Sequence, residues 1–147
     1  MLVNYFTSSS FWSEYLSQWE DEKEIWHGLS ILCESQWYSL EKVCLSIQSH
    51  EEGFKKCLIL FQNPSSDTPK ISSAVISIIE NHNHFTSNDM IVSLLKPIVD
   101  SISQLANHQT KLGDVWKEFS TVFKEIQSIH VYERFQGFKE HCLKTLH

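Results

Sequence analysis

Apolar side chains recur at every seventh position through the first sixty residues: Trp12, Trp19, Trp26, Cys33, Leu40, Ile47, Phe54 and Phe61. Tyr15, Leu16, Leu29, Trp37, Val43, Cys44, Cys57 and Leu58 lie three or four residues beyond those rungs and widen the stripe. A seven-residue period of this length keeps one seam of a helix turned towards a partner helix, which neither strand nor loop periodicity would do. The pattern predicts an N-terminal segment over 1–10 and one long helix over about 11–62, some 75 to 80 Å from end to end. Glu22, Lys23, Gln36, His50 and Glu51 interrupt the stripe, and Gly28 and Gly53 weaken it. The stretch from Ser49 to Gly53 is the expected place for a bend or break, since an interior glycine costs roughly 1 kcal/mol against alanine.

A polar connection over 63–69 follows, ending in Thr68 and Pro69, residue types suited to an N-cap and first helical position. A short helix is expected over about 70–82, carrying Ile71, Val75, Ile78 and Ile79. Phe85-Thr86-Ser87-Asn88-Asp89-Met90 then has the form of a helix start, with Thr86 as N-cap and Phe85 and Met90 as a hydrophobic staple. A second seven-residue ladder, Ile91, Ile98, Leu105, Leu112, Phe119 and Ile126, predicts a long helix over about 87–130, kinked by Pro97, with a bent continuation to about 146. Two such ladders predict an all-α fold for a single helical domain over 11–147. The expected form is an elongated antiparallel bundle of two long helices plus a short connecting helix, and it dimerises. The seam and interface residues are then Trp12, Trp19, Trp26, Trp37, Phe54, Phe61, Leu105, Leu112, Trp116, Phe119 and Phe123.

Composition agrees with long helices. Only four Gly and three Pro punctuate 147 residues, too few for the tight turns of an all-β fold, while 41% apolar content is enough for a core. The net charge of −6 is concentrated early: residues 1–50 hold Glu14, Glu20, Asp21, Glu22, Glu24, Glu34 and Glu41 against Lys23 and Lys42. That distribution excludes the clustered basic surface needed for nucleic acid, and it makes Glu20, Asp21, Glu22 and Glu24 a candidate patch for a basic partner. No apolar run approaches the ~20 residues that span a bilayer, and no secretory leader is recognisable at Met1–Ser10, so a cytoplasmic setting is expected. Cys33, Cys44 and Cys57 lie on or beside the first stripe and read as core residues; Cys142 stands apart.

Candidate chemistry is sparse. His82 with His84, and His141 beside Cys142, are two-residue pairs without the third and fourth ligands of a zinc site, and no metal is expected. No Gly-rich phosphate loop or nucleophile elbow occurs, and Glu51 and Glu52 diverge on a helix, so neither a cofactor nor enzymatic activity is expected. The tryptophans sit among glutamates instead of the lysines and arginines of a base-stacking platform, which favours a core role. Lys111, Lys117 and Lys124 form a modest basic edge for lipid headgroups, but Asp114, Glu118 and Glu125 accompany them in a mixed solvated face.

Phe11-Trp12 opening a long helix, Leu40-Glu41 thirty residues on, His84 before a second helix and Lys96-Pro97-Ile98 near its start resemble the first half of a BAR or F-BAR domain. That resemblance implies a dimeric helical architecture and a membrane-associated module. Lys42, Val43 and Cys44 replace the tyrosine-alanine-lysine that commonly follows the apolar-Glu pair, Arg134 is the sole arginine, and the family's full domain is much longer than this chain. The functional expectation is a non-enzymatic helical scaffold that pairs with itself or another helical protein through its aromatic seam. The alternatives are the BAR-like membrane module and a helical domain that presents its acidic first helix to a basic partner.

Overall fold

A computed structural model describes residues 1–33, 38–64, 67–106 and 109–146 of the chain. It is all-α: the described residues form eight helices and no strand. These are α1 (Leu2–Ser8), α2 (Ser10–Glu22), α3 (Ser39–Ser49), α4 (Glu51–Gln62), α5 (Ser73–Glu80), α6 (His82–Leu105), α7 (Leu112–Ser128) and α8 (Glu133–Leu146). The chain divides into two compact units, Met1–Asp89 and Met90–His147, with the division falling inside α6.

The expected helix over 11–62 is three helices. Its first break is a helix-terminating turn after Glu22: the Ile25 N–H reaches back to the Glu20 carbonyl at 2.9 Å and the Glu24 N–H to the Asp21 carbonyl at 3.3 Å. This is the 6→1 and 5→2 pairing of a Schellman cap, with Glu24 at φ 56° in the left-handed position that glycine usually takes. Residues 25–33 are non-helical, so the seven-residue rhythm continues through a segment that is not a helix. The second break falls at His50, between α3 and α4, where φ is −100° and ψ 6°. It lies within the Ser49 to Gly53 stretch where a bend or break was expected.

Other boundaries differ too. Residues 2–8 of the N-terminal segment form α1, which buries Leu2, Val3 and Phe6. The short helix starts at Ser73 instead of about residue 70, because the Ser72 hydroxyl, not Thr68, accepts the Val75 N–H at 3.4 Å. Thr86 is not an N-cap: α6 already runs from His82, and the Thr86 hydroxyl donates to the His82 carbonyl four residues back. Pro97 sits within α6 without ending it, and the expected helix over 87–130 is divided between α6 and α7.

In the first unit, α2 packs on α4, α1 on α2 and α5, α4 on α5, and α3 on α4. The core joins Leu2, Phe6, Trp12, Leu16, Trp19, Phe54, Cys57, Leu58, Ile71, Val75, Ile79 and Phe85. Its aromatic centre is Phe6, 5.0 Å from Phe54 and edge-on to Trp12 at 6.3 Å between ring centroids. Gly53 lets α4 approach α2 closely: a Cβ there would lie 2.7 Å from Trp19 Cε3 and 3.1 Å from Leu16 Cδ2. The glycine therefore serves packing in addition to neighbouring the break. Asn88 ties the start of α6 to α3 by donating to the Cys44 carbonyl at 2.7 Å.

The second unit is thinner. Leu94, Val122 and Ile126 are its buried core, with Ile98, Ile129, Val131, Cys142, Leu143 and Leu146 packed against them. Asp114 accepts from the Lys111 N–H at 2.9 Å at the start of α7. At the other end, Lys139 of α8 donates to the Gln127 and Ile129 carbonyls at 2.8 and 2.6 Å. A cation on the carbonyl end of a helix satisfies orphan acceptors and complements the helix dipole, so α8 is fastened across the end of α7.

Candidate interaction surface

The eleven seam residues separate into distinct roles. Trp12, Trp19 and Phe54 are buried in the first core, and Phe61 is half-buried against it. Trp26 is 89% exposed in the non-helical segment, and Trp37 lies outside the described residues. Leu105 and Phe123 are half-buried, whereas Leu112, Trp116 and Phe119 of α7 are 76%, 70% and 47% exposed. The ladder thus does not form one continuous seam: period seven was kept while the chain turned twice.

The α7 side chains do share a face. At about 100° per residue, Leu112, Trp116, Phe119 and Phe123 fall within a narrow sector beside the buried Val122 and Ile126. Trp116, Phe119, Ser120, Phe123 and Lys124, with Leu146 of α8, line a groove of about 420 Å³. Lys124 is the cation of that groove, whereas Lys117 lines a separate concavity together with Asp114 and Glu118. Adding a Cβ at Gly113 would meet no atom within 4 Å, so that end of the face is open. An apolar face of this kind, with a lysine at its margin, can seat an apolar surface whose rim is acidic.

The acidic patch is only partly available. Glu20 is engaged by His50, whose Nε2 lies 2.7 Å from Glu20 Oε1, and Lys23 within the cluster pairs with Glu52 at 3.3 Å. Asp21, Glu22 and Glu24 remain exposed.

His50 itself is fully buried and the sequence pattern treated it as an interruption. Its Nδ1 lies 2.7 Å from the Ser46 carbonyl and 3.0 Å from the Ser49 hydroxyl, which gives Ser49, His50 and Glu20 the connectivity of a serine-histidine-carboxylate chain. The geometry opposes nucleophilic activation. A carbonyl can only accept, so the shorter 2.7 Å contact requires Nδ1 to carry a hydrogen, and the Ser49 hydroxyl donates to the same carbonyl at 3.0 Å. Nδ1 therefore has no free lone pair to take the serine proton. The arrangement fastens α2 to the α3–α4 junction.

Cys44, Cys57 and Cys142 are chemically quiet through burial, whereas Cys33, expected beside the core, is exposed in the non-helical segment. Desolvation pushes the Cys57 thiol up to about 12, and it also raises Cys44, with a contribution from Glu41, and Cys142. Thiols held protonated are weak nucleophiles and weak metal ligands. Among the described residues no group of three or more His, Cys, Asp and Glu comes together to hold a metal, and no helix is long and apolar enough to cross a membrane. The chain matches no protein-family model, no curated protein and no solved structure.

Proposed function

We propose that this protein is a non-enzymatic helical interaction module whose contact surface is the exposed face of α7, and whose partner is an amphipathic helix with acidic flanks. The observation that carries the reading is the exposure of Leu112, Trp116 and Phe119 on one face of one helix, beside a groove. Large aromatics left in water on a folded helix forgo about 1.5 to 3 kcal/mol each, a cost that partner burial recovers. Charge selects the partner's character. Lys124 lines the groove, so an acidic flank complements it, whereas a second α7 helix would bring another lysine to the same groove.

The test uses the full chain and a synthetic helix with leucines at three- and four-residue spacing flanked by glutamates, followed through amide resonances. Saturable shifts confined to 112–123, lost in Trp116→Ser and Phe119→Ser and weak with a lysine-flanked peptide, are expected. Equal response to both peptides, or none, defeats the proposal. A concentration-dependent dimer in light scattering that Trp116→Glu abolishes would replace the acidic partner by a second copy. Binding to phosphatidylserine vesicles through the same residues, without binding the peptide, would replace it by a membrane surface.

A further inference from the structure

A second concavity lies in the first unit, remote in sequence from α7. His27 and Ser30 of the non-helical segment and Lys42, Leu45, Ser46 and Ser49 of α3 enclose a cleft of about 580 Å³. The α3 contributors are spaced three, four and seven residues apart, which sets them on one face of that helix. The volume falls within the range of small-molecule sites.

Its lining is selective in a way its surroundings are not. Residues 1–89 carry twelve Asp and Glu against five Lys and Arg, yet among the described residues no carboxylate lines the cleft, and one of the five cations does. The Lys42 ammonium is steered by the Tyr38 ring, 4.8 Å from its centroid, and among the described residues it makes no ion pair. The nearby Glu20 carboxylate, which would lie 3.7 Å from a Cβ at Gly28, is engaged by His50. The floor is fixed: the Ser46 hydroxyl accepts the Ser30 N–H at 3.1 Å and donates to the Val43 carbonyl at 2.8 Å, joining the two walls. His27 and the Ser30 hydroxyl add hydrogen-bonding groups, and Leu45 adds an exposed apolar surface.

From this arrangement we infer that the cleft between residues 27–30 and α3 binds a small organic anion, a phosphate or carboxylate attached to an apolar body. Lys42 and His27 take the anionic group, Ser30 and Ser49 border it, and Leu45 takes the apolar part. Charge-assisted hydrogen bonds to Lys42 supply most of the affinity, and the apolar wall separates an organic ligand from a free inorganic ion.

The experiment titrates the full chain with phenyl phosphate, benzoate and inorganic phosphate, reading amide resonances and affinity. Saturable shifts at Ser30, Lys42 and Ser49 are expected with phenyl phosphate or benzoate, and weaker ones with inorganic phosphate. Lys42→Gln should reduce the organic anion's affinity about tenfold or more. Leu45→Ser should weaken phenyl phosphate while leaving inorganic phosphate unchanged. Circular dichroism checks that both variants stay folded, and resonance shifts in the wild-type chain provide a readout that needs no variant. Absence of saturable shifts with all three probes at about 10 mM would overturn the inference. So would binding that Lys42→Gln leaves intact, or phosphate binding as strong as that of phenyl phosphate.

Discussion

Among the described residues, and apart from the exposed Trp26, the two units place their tryptophans in opposite ways. In residues 1–89, Phe6, Trp12, Trp19 and Phe54 turn inward and meet one another across α1, α2 and α4; in residues 90–147, Trp116 and Phe119 turn outward while Leu94, Val122 and Ile126 form the core. Charge differs as well: the first unit holds twelve acidic and five basic residues, the second six and seven. The same residue types therefore stabilise one unit and remain available for contact on the other. Heptad spacing alone does not distinguish these uses, because a core helix and a docking helix need the same amphipathic stripe.

The comparison is broken most severely at Phe54. Phe54→Ala removes a fully buried ring from the aromatic centre and should cost about 3 to 5 kcal/mol, measured as a lowered urea midpoint. An effect no larger than that of an exposed substitution would show that the first unit is not held by this cluster. Gly53→Ala comes next. The new methyl gains helix propensity but meets Trp19 at 2.7 Å, so a net loss of about 1 to 3 kcal/mol is expected, with the greatest increase in amide exchange where α2 and α4 meet.

Acid adds a further distinction. Burial, reinforced by the positive Met1 amino group, lowers the pKa of His84 from 6.5, so the folded chain takes up its proton less readily than the unfolded chain. Stability from this group is complete above about 6.5 and is lost as pH falls from there towards the folded value. His84→Gln should flatten that part of the pH dependence in urea titrations between pH 7 and 5; an unchanged slope would remove His84 as its source.

A smaller gain is expected from Glu24→Gly, which places the residue best suited to φ 56° in the cap of α2 and should alter stability by at most about 1 kcal/mol, in the stabilising direction. Smallest of all, Trp116→Ser should change the unfolding free energy from urea titration by less than about 0.5 kcal/mol. A large loss there would place Trp116 in the core and erase the contrast between the units.

Several features were legible before folding. The apolar spacing and the scarcity of glycine and proline implied helices throughout, and the weakness at Ser49 to Gly53 marked a real break at His50. A helix running through Pro97 was legible in the second ladder, and α6 does run through it. The end of α2 was not legible, because a Schellman cap without glycine carries no distinctive residue: Glu24 adopts the left-handed conformation while Ile25 packs on the core. Thr86 looked like an N-cap because its side chain has that capacity, but the same hydroxyl serves equally inside a helix by bonding the carbonyl four residues back.

Sequence by itself determined that this chain is helical, which positions are amphipathic and where its acidic residues concentrate, since propensity, period and charge are local properties. Tertiary structure decided that Trp12 and Phe54 are hidden while Trp116 and Phe119 face outward, that Gly53 marks a close helix crossing, and that His27 and Lys42 border one cleft. Those outcomes depend on where α2 stops and on how much surface each unit has available to cover a stripe. A periodic pattern specifies a face without specifying what lies against it.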